Sequence, residues 1–180
     1  MTVPILVLVG LGSNLGDRAA ALASALQLLA AAPGVEVVRL SAVYETDPWG
    51  VRDQPVFLNQ VTELATTLGP VQLLLLLLTI ERELGRERTI HWGPRRIDLD
   101  LLDYGGQSID RPGLTVPHPL IPQRAFVLEP LRELRPDYRL PSGTTIDRAL
   151  AELGESRSVR RLGSAPAGPP VRVDNESGFL

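Results

Sequence analysis

Asp98 and Asp100 stand one residue apart in the run Ile97-Asp98-Leu99-Asp100-Leu101, and this pair has the plainest potential for chemistry. Polar and apolar side chains alternate there with the two-residue period of a half-buried strand. Both carboxylates therefore share one strand face, their Cα atoms about 6.5–7 Å apart, while Ile97, Leu99 and Leu101 point to the core. Hard oxygen donors so placed suit one or two divalent cations. Mg2+ is usually held by one or two carboxylates, with phosphate oxygens filling its remaining positions. A merely solvated strand face would read the same way, but the neighbours favour chemistry. Arg86, Arg88, Arg95 and Arg96 lie just upstream, and guanidinium groups beside acids suit a metal-bound polyphosphate. Ordinary surface ion pairs would contribute only about 0–1 kcal/mol.

Three further stretches carry polar groups in unusual company. Asn59 sits among apolar residues, where a buried amide needs partners; it offers either a structural hydrogen bond or a donor–acceptor pair for a polar heterocycle. Nearby Phe57 reads as core packing. His118 lies between Pro117 and Pro119, which fix the backbone and expose the ring, with Arg124 and Phe126 close behind. Gly10, Gly12 and Gly16 are spaced GxGxxxG, one residue off the dinucleotide fingerprint, and Glu36 falls at the wrong end of the next strand for that reading. A tight turn is preferred, with Asp17 or Asn14 capping the next helix.

Around these groups the secondary structure reads in order. A buried strand is expected over 3–9, a helix over 17–32 and a second strand over 35–45. A long loop with two prolines then spans 46–55, a length usually functional or mobile in a compact domain. A strand over 56–66, a leucine-rich helix over 70–84 closed by Gly85, a basic loop over 86–95 and a strand over 96–104 complete the run. Next come a short strand at 107–110, the proline-rich segment 114–131 and a helix near 144–153. The order β, α, β, β, α, β over 1–104 matches the ferredoxin-like pattern. The expected class is α+β: a ferredoxin-like sandwich, mostly antiparallel, with flanking helices on one face. One domain is expected over 1–162, with a loose tail over 163–180.

Composition narrows the chemistry. The chain has 180 residues, a net charge of −3 and no cysteine, which excludes disulfides, thiolate metal sites and a cysteine nucleophile. Its 18 basic residues are all arginine, so a Walker-type or Schiff-base lysine is excluded as well. The acidic balance argues against a nucleic-acid footprint. The start MTVPILVLVG lacks a basic n-region and a small-residue cleavage site and reads as a first strand rather than a signal peptide; the leucine run 73–78 is too short to cross a bilayer, which takes about 20 apolar residues. A cytoplasmic monomer that binds small molecules, and neither nucleic acid nor membrane, is expected.

Five motifs, LGSNLGDR, YETDPWG, DQPVFLNQV, GRERTIHWGPRRIDLDLL and LTVPHPLIPQRAFVLEPL, together resemble the 6-hydroxymethyl-7,8-dihydropterin pyrophosphokinases. They come in the family's order and spacing from about residue 5 to 135. The resemblance implies transfer of an intact pyrophosphoryl group from ATP to the pterin hydroxymethyl oxygen, releasing AMP, in folate synthesis. It implies that Asp98 and Asp100 hold two Mg2+ ions, and that Phe57 and Phe126 sandwich the reduced pterin. Asn59 would bond its amide edge, with Thr46, Asp47 and Trp49 around the ring. Arg86, Arg88, Trp92 and Arg95 resemble a loop closing over ATP, Arg86 and Arg95 acting in catalysis. His118 and Arg124 resemble phosphate and nucleotide contacts; Glu81 and Leu101 line the adenosine side. Leu78 departs from a common glutamine, His91 from an arginine and Phe57 from a tyrosine of some members. The competing reading is a non-catalytic ferredoxin-like ligand-binding module with solvated aspartates.

Overall fold

The computed structural model describes residues 3–48, 53–85, 93–154 and 159–163. Strand β1 (Ile5–Ser13), helix α1 (Arg18–Ala31), strands β2 (Val35–Leu40), β3 (Val43–Thr46) and β4 (Phe57–Thr66), helix α2 (Pro70–Glu83) and strand β5 (Asp98–Tyr104) come first. They are followed by the hairpin β6 (Ile109–Arg111) and β7 (Leu114–Val116), a 3-10 turn (Ile121–Gln123), helices α3 (Ala125–Leu134) and α4 (Ile146–Leu153), and strand β8 (Val159–Gly163). The main sheet runs β5-β1-β4-β3-β8, with β2 on the remaining length of β4, and its pairings are antiparallel. That is the ferredoxin-like strand order the element pattern predicts.

Helices cover both faces rather than the one expected. Helices α1 and α2 pack against Val7, Val9, Leu11, Leu64, Leu99 and Leu101. Helices α3 and α4 pack against Leu8, Val61 and Leu102 on the other side. A strand sandwiched this way needs apolar residues on both faces and loses its alternation; β4, the central strand, is buried along almost its whole length, which is why its sequence alternates only moderately.

The expected strand 35–45 is two strands. At the break, Ser41 takes over from the ladder: its Oγ accepts from Val61 N at 3.0 Å and its carbonyl accepts from Gln60 Nε2 at 2.8 Å. Thr46, read as the first loop residue, is instead the last residue of β3, opposite Phe57. Strand β1 runs on to Ser13, four residues past its expected end. Asp17 caps α1 as foreseen, accepting from Ala20 N at 3.0 Å, and Gly16 makes the turn before it at φ 66°. The short strand expected at 107–110 is β6 of the hairpin. Strand β8 was not anticipated; it lies along β3, where Arg160 pairs with Glu45 at 2.7 Å and Arg161 with Glu133 at 3.3 Å.

Helix α3 is tied to the sheet by a buried carboxylate. Glu63, 2% exposed on β4, accepts from Arg39 Nε at 2.7 Å and from Arg135 Nε at 2.6 Å. Glu133 adds a second tie, accepting from Ala42 N at 3.1 Å and Tyr44 Oη at 2.8 Å. These anchors and the core beneath hold Phe126, at the start of α3, over the sheet. Leu128 is fully buried in that core. Leu128→Ala is expected to lower stability by about 2–5 kcal/mol in a urea titration; a loss below about 1 kcal/mol would mean α3 does not depend on this packing.

Candidate active site

The cross-strand register assembles the site. Gly12 of β1 lies opposite Asp98 of β5 on one side and Asn59 of β4 on the other. One step along, Gly10 lies between Asp100 and Val61. Residues opposite one another in a sheet share a face, so both carboxylates and the Asn59 amide stand on the face covered by α3. Space is tight at Gly12: a Cβ there would lie 3.0 Å from Asn59 Oδ1 and 4.0 Å from the Phe57 ring, so the amide would have to shift. This corrects the preferred reading of the first two glycines as a turn. They are strand residues whose missing side chains leave room for those of their neighbours.

Asn59 is buried, and its Nδ2 donates to Thr46 Oγ1 at 2.7 Å, so two of the expected ring-contacting residues are already joined. Asp47 follows at the exposed rim. A small cavity of about 30 Å³ is lined by Gly10, Gly12, Asn59, Asp98, Asp100 and Phe126. That is room for one or two waters, less than a bicyclic ring needs.

A second, larger cleft of about 340 Å³ opens between α2, β5 and the β6–β7 hairpin. Leu74, Leu78 and Glu81 come from the helix and Leu99, Asp100 and Leu101 from the strand. Gly113, Leu114 and Thr115 come from the hairpin, and His118 from just beyond its end. Glu81 also has a structural duty: buried, it accepts from Leu99 N at 2.7 Å and fixes the start of β5. Leu78, the departure from a common glutamine, gives the cleft an apolar wall. Asp100 lines both cavities.

Each carboxylate faces an arginine. Arg95 Nη1 donates to Asp98 Oδ2 at 2.6 Å and Arg124 Nη1 to Asp100 Oδ2 at 3.0 Å. Arg124 also lies over the Phe126 ring, its Cζ 5.6 Å from the centroid, within cation–π range. Among the described residues no group of three or more His, Cys, Asp or Glu could hold a metal ion. A cation at the aspartate pair would therefore draw its other donors from phosphate and water, which is how Mg2+ is usually bound. The pair fits that ion.

His118 is half-buried, not exposed as its prolines suggested. Its backbone N–H donates to Leu102 O at 2.8 Å, seating it against the edge of β5. Its Nδ1 accepts from Leu120 N at 3.1 Å, which leaves the proton of a neutral ring on Nε2. Burial holds its pKa below the ordinary 6.5; the Asp100 charge opposes this and the Arg124 charge reinforces it.

Asn14 is the residue that sequence reasoning missed, having been weighed only as a helix cap. Its Nδ2 donates to Gln54 Oε1 at 3.1 Å and Pro55 O at 3.0 Å, and its Oδ1 accepts from Arg95 N at 2.8 Å. One buried amide thus joins the approaches to β4 and β5. The available signal was a polar amide directly after a buried strand. Trp49, Arg86, Arg88, His91 and Trp92 lie outside the described residues.

Because folded His118 binds a proton less tightly than the unfolded chain, its contribution to stability is complete above about pH 6.5 and is lost as pH falls toward the folded midpoint. With two histidines in the chain, an NMR titration resolves it; a midpoint below 6.5 is expected, and one above would contradict the neutral ring.

Residues 8–136, more than half of the chain, match the family model described as 7,8-dihydro-6-hydroxymethylpterin-pyrophosphokinase (HPPK). A 2-amino-4-hydroxy-6-hydroxymethyldihydropteridine pyrophosphokinase of Methylorubrum extorquens is 50% identical over 147 residues, covering 82% of this chain and 92% of the relative. The Bacillus subtilis protein of that name is 48% identical over 126 residues, 70% of this chain and 75% of its own. Among solved structures, an HPPK-DHPS in complex with substrates superposes with a TM-score of 0.68 at 12% identity, over 84% of this chain and 43% of that one. A wild-type Plasmodium falciparum HPPK-DHPS gives 0.64 at 15% identity, over 83% and 44%. The chain spans less than half the length of these solved chains, and at such identity the likeness speaks for the fold. The sequence matches carry the rest: the chain belongs to the 7,8-dihydro-6-hydroxymethylpterin-pyrophosphokinase family.

Proposed function

We propose that the chain is an ATP-dependent pyrophosphokinase that transfers pyrophosphate from ATP to 6-hydroxymethyl-7,8-dihydropterin, giving the pterin diphosphate and AMP, in folate biosynthesis. One observation carries the reading: Asp100 lies on the wall common to a cleft of about 340 Å³ and to the small cavity beside Asn59 and Phe126. A carboxylate at that junction stands where a phosphate chain from one side would meet an acceptor from the other.

In this reading Leu74, Leu78 and Leu101 receive the adenosine, with Glu81 beside them and His118 offering Nε2–H as a neutral donor. Phe57 and Phe126 take the pterin between them, Asn59 and Thr46 bond its amide edge, and Asp47 and Trp49 close the rim. Admitting the ring to a space of about 30 Å³ requires Phe126, which lines it, to yield. Asp98 and Asp100 would hold Mg2+, on our proposal two ions, which would neutralise phosphate oxygens and lower the pKa of the attacking alcohol. Arg95 and Arg124, with Arg86 and Arg88 from the neighbouring segment, orient the phosphates for in-line attack at the β-phosphorus. The hydroxymethyl oxygen bonds to that phosphorus and gives up its proton to solvent, the bond from the phosphorus to the α–β bridging oxygen breaks, and AMP leaves with the electron pair of that bond. Such transfer rests on positioning and charge stabilisation, so no covalently modified side chain is required. A cytoplasmic monomer is the working form we propose.

A coupled assay tests the reading: AMP, rather than ADP, should accumulate only when the reduced pterin is present. A binding module would release neither. Asp98→Asn and Asp100→Asn should each lower turnover by roughly a hundredfold or more while the fold persists by circular dichroism; wild-type turnover in either would remove the metal assignment. Gly12→Val should displace the Asn59 amide and weaken pterin binding by about ten- to a hundredfold, measured by calorimetry. Equal pterin affinity would mean the amide makes no contact with the ring.

A further inference from the structure

We infer that Arg95 and Arg124 are resident counter-ions of the cation site, each occupying one aspartate so that a divalent cation is accepted only together with a polyphosphate. This rests on the reading of Asp98 and Asp100 as the cation ligands, and goes beyond it by assigning the arginines a role before any ligand arrives.

The pairing is built into the structure at both carboxylates. The guanidinium–carboxylate distances are 2.6 Å for Arg95–Asp98 and 3.0 Å for Arg124–Asp100. Both arginine side chains are largely enclosed, 17% and 10% exposed, so their charges are weakly screened by solvent. Among the described residues the two acids and the two bases balance. A bare divalent cation entering this group meets aspartates already neutralised and adds a surplus of positive charge at short range. A nucleotide's phosphates change that balance: they supply oxygens for the cation and acceptors for guanidinium groups that leave the carboxylates. Arginine suits the exchange because its planar fork binds carboxylate and phosphate with the same geometry.

The anchoring of the two residues allows the exchange without moving the sheet. Arg95 is fixed through its backbone, its N–H donating to Asn14 Oδ1 at 2.8 Å and its carbonyl accepting from Asn14 N at 3.1 Å. Arg124 is fixed as the N-cap residue of α3. In both, the guanidinium sits at the end of a long stem, so the charge can change partner while the Cα stays in place.

The test is Mn2+ binding to the nucleotide-free protein, followed by electron paramagnetic resonance. Arg95→Met and Arg124→Met should each bind Mn2+ alone about tenfold or more tightly than the unaltered chain, as loss of a nearby positive charge requires. Arg95→Gln and Arg124→Gln, which keep a neutral donor at each carboxylate, should tighten it as well and serve if a Met variant does not fold. Arg39→Met, which breaks an ion pair with Glu63 elsewhere in the structure, should leave Mn2+ affinity unchanged. A purely structural role would not produce tighter cation binding. If Mn2+ affinity is unchanged or weaker in the folded variants at both positions, the counter-ion role is overturned. Calorimetry with Mg2+ and an ATP analogue on the unaltered chain separates the two ideas: nucleotide binding there, with unchanged Mn2+ affinity in the variants, sinks this inference and leaves the proposed activity standing.

Discussion

The site depends on the register in which β1 is held between β4 and β5. Gly12 opposite both Asp98 and Asn59, and Gly10 opposite both Asp100 and Val61, place acids and amide on one face with no side chain between them. Because side chains alternate along a strand, a slip of one residue would turn β1 over relative to its neighbours and bring Leu11 to the site face in place of glycine. The antiparallel ladder, the helices on both faces and the buried Glu63 clasp all serve to keep that register. Chemistry at the sheet surface follows from packing beneath it.

On this scaffold the electrostatics are arranged in opposed pairs. Asp98 and Asp100 each meet an arginine, and Arg124 in turn lies over Phe126. One guanidinium therefore touches both the proposed cation ligand and the proposed ring-stacking residue. His118 stands nearby with a depressed pKa, held there chiefly by burial, and a neutral donor beside the cleft adds no further charge to the balance.

Much of this was legible where the signal is local. The alternation around Asp98 and Asp100 gave the strand, the shared face and the buried positions of Ile97, Leu99 and Leu101, because strand geometry is set within a few residues. Asn59 stood out as an amide in apolar company, and it is buried against Thr46. What the sequence hid was long-range. Asn14 meets Gln54, Pro55 and Arg95 across separations of 40 residues and more, and nothing adjacent to Asn14 announces them. Gly10 and Gly12 looked like a turn because their strand partners, and the Asn59 amide that crowds Gly12, lie far away in sequence. Helices α3 and α4 were read in sequence, but not which face they would cover.

Strand β8 guards the far side of the sheet. Without it β3 would present a row of unpaired N–H and C=O groups beside the rim formed by Thr46, and an open edge is a template for another chain to join. Val159–Gly163 occupies that edge, and Arg160 and Arg161 are held by Glu45 and Glu133. The same few residues that complete the sheet therefore shield its edge from association with another chain, and because Val159 lies opposite Thr46 they also back the rim of the site.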